Sequence, residues 1–373
     1  MKYMGSKRMM LQNGLGDLLA DEIGRSTRFV DLFAGSGAVA IHVARTFAVP
    51  VLAFDLQRYS VVLSEAVINR VTKVEWQRVW RDWHRRAESE IKKVRVPATP
   101  KLTQAIVRDY RVWCANQTCL PVTEAYGGHY FSPQQAVWID ALRSNLPKRE
   151  PTKTVALAAL IQSASQCAAA PGHTAQPFQP TRTAKPFLQE AWSKDVAQRT
   201  KNALALLADQ FAKQRGKARV SDATEAAKQL NNGDLVFIDP PYSGVHYSRF
   251  YHVLETIACG HCGEVTGIGR YPARELRPRS KYSVKSESAV ALDELLETIA
   301  SNGARAILTF PDHDCSNGLS GKAVREIAGK HFFIREQPVN CSFSTLGGTG
   351  EENGKASRGA RQEARELILV LQP

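Results

Sequence analysis

The sequence predicts an α/β fold, with one sheet interrupted by a basic and mostly helical insertion. Three observations carry this. A strand, a glycine turn, a helix and a second strand ending in an acid follow one another within residues 28–55, which is how a doubly wound sheet begins. Apolar strands resume beyond residue 218. Between them the chain changes character: residues 73–219 hold 24 Lys+Arg against 11 Asp+Glu, whereas the remainder holds 25 of each. The whole net charge of +13 therefore sits in one internal segment.

In chain order, residues 11–23 carry a helical pattern. Arg28-Phe29-Val30-Asp31-Leu32-Phe33 reads as a short apolar strand, Ala34-Gly35-Ser36-Gly37-Ala38 as a glycine-rich turn, and 39–47 as the next helix. Residues 49–54 form a second strand ending at Asp55. Long helical periodicity with interspersed Arg and Trp runs over 61–94, until Pro97 and Pro100 break it. Further helices are expected at 104–113, 133–142, 153–167 and 189–213. Residues 171–181 are rich in Pro and polar groups and read as a loop. Leu235-Val236-Phe237-Ile238 is a buried strand, a helix begins near Ser248, and strands follow at 304–310 and 366–371. The expected domains are 1–72 and 218–373 as two parts of one α/β domain, with 73–217 inserted between them.

Composition narrows the class of function. A chain of 373 residues is long enough for one large α/β domain with an insertion. No stretch of eighteen apolar residues exists, so no membrane span is expected. The first residues lack the apolar core of a signal peptide, which points to a cytoplasmic protein. Seven scattered cysteines form no disulfide framework. Cys259-Gly260-His261-Cys262 has a metal-type spacing but no matching second pair, so no metal is expected. A basic excess confined to one segment suits a polyanion such as nucleic acid, because a merely solubilising charge would not need confinement.

Two constellations could carry chemistry. Asp31-Leu32-Phe33-Ala34-Gly35-Ser36-Gly37 joins a strand to a helix, where α/β sheets bind ligands. Its glycines allow close approach of a ligand to the backbone, and it is neither a P-loop nor a full dinucleotide fingerprint. Asp31 before the turn suits a partner with a positive group. Asp55, twenty residues beyond Gly35, can accept hydrogen bonds from ribose hydroxyls. Together they favour a nucleoside-type cofactor over an ordinary tight turn. The second constellation is Asp239-Pro240-Pro241-Tyr242, at the end of a strand. A carboxylate and a rigidly held Pro240 carbonyl can accept both hydrogens of an amine, and Tyr242 offers a stacking face. That describes a pocket for the exocyclic amine of an extruded base. A capping Asp with a buried Tyr is the plainer alternative.

These motifs, with Lys2-Tyr3-Met4-Gly5-Ser6-Lys7 ahead of them, occur in the order of the Dam-like (alpha-group) adenine-specific DNA methyltransferases, which the chain resembles over about 1–70 and 218–373. The resemblance implies a Rossmann-like sheet that uses S-adenosylmethionine, with the basic insertion where a target-recognition domain belongs. It implies that Tyr3 and Lys7 lie against the cofactor and target pocket, and that Asp31, Phe33, Gly35, Ser36 and Gly37 surround the methionine moiety. It also makes Asp55 the ribose-binding acid, places Asp222 and Ala223 at the adenine, and makes Asp239, Pro240 and Tyr242 catalytic. The implied product is N6-methyladenine in double-stranded DNA, made by a monomer or homodimer without a metal. Asp-Pro-Pro-Tyr resembles the adenine enzymes more than those acting on the cytosine amine.

Two further stretches are candidates for DNA contact. Residues 270–282 are basic with interleaved tyrosines, and Arg270, Arg274, Arg277, Arg279 and Lys281 could clamp phosphates. His173 and Gln176 lie in the polar loop, where Gln can pair with adenine. Charge runs are more often simply solvated. Two rival functions are an RNA adenine methyltransferase and a DNA-binding regulator that keeps the fold without turnover. The intact motifs speak against the second, since binding alone needs neither.

Overall fold

The structure is a computed structural model. It describes residues 7–98, 102–337, 339–343, 350–352, 355–357 and 362–373, with backbone alone between 339 and 365. The chain divides into two compact units. One comprises Met4–Leu56, Arg219–His246 and Arg279–Pro373; the other takes Gln57–Ala218 and Tyr247–Pro278. The helical unit thus takes in residues 57–72 and Tyr247–Pro278 besides the insertion 73–217.

The first unit is built on a sheet of eight strands: β1 (Arg28–Asp31), β2 (Val51–Asp55), β3 (Lys217–Val220), β4 (Asp234–Ile238), β5 (Arg305–Pro311), β6 (Phe333–Glu336), β7 (Val339–Phe343) and β8 (Gln362–Gln372). Their order is β3-β2-β1-β4-β5-β8-β6, with β7 also paired to β8. β2, β1, β4 and β5 run parallel, whereas β8 is antiparallel to β5 and to β6 and β7. Successive side chains point to opposite faces, and both faces are buried, which is why the strands are near-continuously apolar. Val30, Val236, Ile238, Ala306, Leu308, Leu367 and Leu369 join one core with Leu292, Leu295, Leu296 and Ile299 of helix Ser288–Ser301. The alternate residues Phe29, Leu235, Phe237, Ile307 and Ile368 are buried as well, so the sheet is covered on both faces. Arg28 staples β1 to β4 through two hydrogen bonds to the buried Asp234, at 2.8 and 2.6 Å.

The second unit is helical. Its centre is Thr152–Cys167, whose Ala- and Leu-rich sequence is buried nearly all round. Against it pack Arg58–Ile68, Val196–Ala208 and Tyr247–Cys259. The expected helix over 61–94 is broken: Arg58–Ile68 ends and Trp76–Ile91 begins anew. The cause is Arg70, which is 2% exposed. Its guanidinium donates to the carbonyls of Ala66, Thr72, Leu207, Ala208 and Gln210, and so caps the last turns of two helices. Burial pushes this guanidinium down to about 10. The carbonyls of Leu207, Ala208 and Gln210 lie 137 to 140 positions from Arg70, so periodicity cannot reveal that one side chain serves both helix ends. The helix expected over 189–213 is likewise divided into Lys185–Trp192 and Val196–Ala208, because the Asp195 side chain caps the second by accepting from Gln198 N at 2.9 Å.

Arg70→Met should therefore destabilise the helical unit by about 3 kcal/mol, since several buried carbonyls lose a charged donor. Thermal unfolding should show a fall in Tm of roughly 6–12 °C; a change within experimental error would remove Arg70 from this role. Among the described residues, no helix is long and apolar enough to cross a membrane.

Candidate active site

Strand direction gathers four carboxylates at one edge of the sheet. Asp31 and Asp55 close the parallel strands β1 and β2, and Asp239 follows β4. β8 runs the other way, and its register sets Glu366 opposite Pro311, the last residue of β5. Glu366 therefore reaches the same edge from within its strand.

The glycine turn is knitted into the sheet by backbone bonds. Leu32 N donates to Phe237 O at 3.2 Å, and Ala34 N to Phe54 O at 2.9 Å. Gly35 and Gly37 have φ of 52° and 74°, a left-handed conformation that costs glycine little. Gly37 is also the residue before helix Ala38–Thr46, so its neighbours' N–H groups face the edge. Gly35 N donates to Asp55 Oδ2 at 2.8 Å, which ties the turn to the end of β2. Asp31 is 1% exposed. Burial pushes its carboxyl up to about 8, with Asp239 and Asp55 adding like-charge repulsion against the Phe33 N–H at 3.2 Å. A buried acid of this kind is a ready acceptor for a cationic group.

Asp239 sits within an ion triad. Lys7 Nζ lies 2.9 Å from Asp239 Oδ1 and is also paired with Glu366. Thr309 Oγ1, on β5, donates to the same Oδ1 at 3.0 Å. Both local donors thus occupy one oxygen. Asp239 Oδ2 has no hydrogen-bond partner among the described residues. Burial opposes the Lys7 charge, but Asp239 and Glu366 outweigh it and hold the ammonium well above its ordinary value. For Asp239, burial and Glu366 push the carboxyl up, while Lys7 and Thr309 pull it down.

The loop after β4 is held by the segment after β5. Asn317, fully buried, donates from Nδ2 to Pro241 O at 2.8 Å and to Tyr282 O at 3.0 Å. Ser316 Oγ accepts from Gly244 N at 2.9 Å. Asn317 therefore occupies the second proline's carbonyl, one residue past the Pro240 carbonyl expected to meet the amine. Tyr242 packs partly on the sheet core, and Phe33 meets Tyr282 edge-on at 5.0 Å in the same core. Asp222 caps helix Ala223–Ala227 by accepting from Thr224 N at 2.9 Å, and Ala223 is buried beneath it.

Of the expected site residues, Lys7, Asp31, Phe33, Gly35, Ser36, Gly37, Asp55, Asp222, Ala223, Asp239, Pro240 and Tyr242 all belong to the sheet unit, as do Arg279 and Lys281. Tyr3 lies outside the described residues. His173, Gln176, Arg270, Arg274 and Arg277 belong to the helical unit. There Arg270 is spent on the backbone, donating to Ala125 O at 2.8 Å and Glu124 O at 3.4 Å. Arg277 lies over the Tyr271 ring at 5.6 Å, and Arg279 pairs with Glu287. Arg274, Lys281 and Gln176 are exposed. His173 accepts from Ala175 N at 3.1 Å and stands 5.1 Å from Phe250, with burial pushing its imidazole down. The interleaved tyrosines of this stretch are structural: Tyr282 is 1% exposed, and Tyr271 donates its hydroxyl to Ala175 O. Among the described residues, no group of three His, Cys, Asp or Glu side chains could hold a metal ion.

Sequence reasoning missed Thr309, Asn317 and Glu366. Thr309 left one signal, a lone hydroxyl within the apolar run from Ala306 to Phe310. Glu366 left a similar one, an acid at the head of an apolar run.

Residues 3–287 match the family described as D12 class N6 adenine-specific DNA methyltransferase. Modification methylase StsI of Streptococcus sanguinis is 26% identical over 324 residues, covering 83% of this chain and 44% of that protein. Type II methyltransferase M.NlaIII of Neisseria lactamica is 26% identical over 308 residues, covering 79% of each. Modification methylase LlaI of Lactococcus lactis subsp. lactis is 24% identical over 307 residues, and the chain spans 44% of its length. The chain thus spans less than half of two of these relatives. The adenine-methyltransferase resemblance carried by the ordered motifs is borne out.

Proposed function

Because the chain belongs to the D12 class of N6 adenine-specific DNA methyltransferases, we propose that it transfers a methyl group from S-adenosylmethionine to the exocyclic amine of an extruded adenine in double-stranded DNA. The observation that carries this reading is Asp239, held at the sheet edge with Oδ1 anchored and Oδ2 without a hydrogen-bond partner among the described residues. The residues beside it fit the cofactor: a buried acid at Asp31, two left-handed glycines without side chains, and Asp55 at the end of β2. Asp31, Phe33, Gly35, Ser36, Gly37 and Asp55 would hold it, with Asp222 and Ala223 at its base. When bound there, S-adenosylmethionine supplies an electrophilic methyl group on a sulfonium.

The chain's own residues do the rest. Asp239 Oδ2 and the Pro240 carbonyl accept the two amine hydrogens, which turns the nitrogen lone pair out of conjugation with the ring. Tyr242 stacks on the extruded base. Lys7 and Thr309 fix the rotation of Asp239, and Asn317 fixes the proline pair. Positioning and preorganised charge supply the rate. The excess of positive charge in 73–219 supports a duplex partner and the assignment of 73–217 to target recognition. Tritiated methyl transfer to duplex DNA tests the reading, with structured RNA as the comparison; transfer to RNA alone would replace DNA as the substrate.

Asp31 gives a second check. It keeps its proton below about pH 8, and a cationic ligand favours the carboxylate. Cofactor binding below that pH should therefore release a proton, and affinity should strengthen as pH rises toward 8, by up to about tenfold per unit. Calorimetry in two buffers of different ionisation enthalpy measures the release. Asp31→Asn should abolish it; equal release from wild type and variant would assign the proton elsewhere.

A further inference from the structure

We propose that Glu366 is a positioning residue for methyl transfer: it holds the Lys7 ammonium on the Oδ1 side of Asp239 and so keeps Oδ2 available for the target amine. The inference rests on the role given to Asp239 above. Glu366 lies beyond the residues 3–287 that match the family, and it is 359 positions from Lys7.

The geometry is specific. Lys7 is 5% exposed, Glu366 3%, and Asp239 20%. One ammonium between two carboxylates leaves the cluster with a net negative charge. Without Glu366, a buried Lys-Asp pair would be neutral, and a Lys with three donors could bridge both Asp239 oxygens. The amine would then meet a carboxylate already satisfied. Glu366 prevents this by taking a share of Lys7, and Thr309 reinforces the same oxygen at 3.0 Å. Among the described residues, the charged and titratable groups facing Asp239 are Lys7 from the N-terminal segment, Glu366 from β8 and Asp31 from β1, with the neutral Thr309 from β5. Removing Glu366 removes a like charge from Asp239, so the carboxylate should form at lower pH.

The test is steady-state kinetics of E366Q, K7Q and K7Q/E366Q in the full chain, on duplex DNA with S-adenosylmethionine. E366Q should lower kcat by about tenfold to a hundredfold, the scale of one charge-assisted contact. KM for both substrates should stay within about threefold, and the acid limb of the kcat profile should move to lower pH. In the K7Q background, adding E366Q should change kcat by less than about twofold, because Glu366 acts through Lys7. Three results would overturn the proposal: an E366Q enzyme with the wild-type kcat and acid limb, a full E366Q effect without Lys7, or an E366Q chain whose melting shows a lost fold. Absence of activity in the wild type would instead overturn the proposed function.

Discussion

Asp239→Asn should lower kcat by about 10²- to 10³-fold while cofactor affinity changes less than about threefold, the size expected when one preorganised contact to the reacting group is lost. Asparagine keeps the side-chain volume and can still accept from Lys7 and Thr309 through one oxygen, as Oδ1 does now. Its amide nitrogen then takes the place of Oδ2. A donor would face the hydrogens of the target amine, and the nitrogen would lose the acceptor that draws out its lone pair. Folding should survive, because Lys7 retains Glu366 as its partner. Single-turnover rates with preformed enzyme-DNA complex would isolate the chemical step. A variant within tenfold of wild type would show that Asp239 is only a structural anchor.

Tyr242→Ala should reduce kcat/KM for DNA by about 5- to 150-fold, because stacking of a base on an aromatic ring is worth about 1–3 kcal/mol. Tyr242 rests partly on the sheet core, which limits the directions its ring can take and prepares it for an incoming base. Tyr242→Phe keeps the ring and should stay within about threefold of wild type. A fluorescent adenine analogue at the target position would brighten on extrusion with the wild type and the Phe variant, and much less with Ala. If Phe were as damaged as Ala, the hydroxyl would carry the role and stacking would be the wrong explanation.

The parts of the site that sequence revealed are those written locally. Asp31 to Gly37 and Asp239 to Tyr242 each place their chemistry within a few residues of a strand end, so an apolar run followed by an acid identifies them. Asp55 was legible for the same reason. Thr309, Asn317 and Glu366 were not, because each serves a residue contributed by a distant strand or loop. Glu366 reaches the site only because β8 is antiparallel to β5, a reversal that an apolar run does not announce. Arg70 hid a helix break in the same way, with carbonyl partners 137 to 140 positions away. The basic stretch 270–282 shows the opposite case. Its charge and tyrosines read as a DNA clamp, yet Arg270, Tyr271 and Tyr282 spend their polar groups within the protein.

The central claim is that this chain methylates the adenine amine with Asp239 holding that amine. Mass spectrometry of nucleosides from duplex DNA incubated with the protein and S-adenosylmethionine tests it most directly. The expected result is N6-methyldeoxyadenosine with the wild-type chain and little or none with Asp239→Asn. Methylation of cytosine, no modified nucleoside across DNA of varied sequence, or equal yields from the two proteins would contradict it.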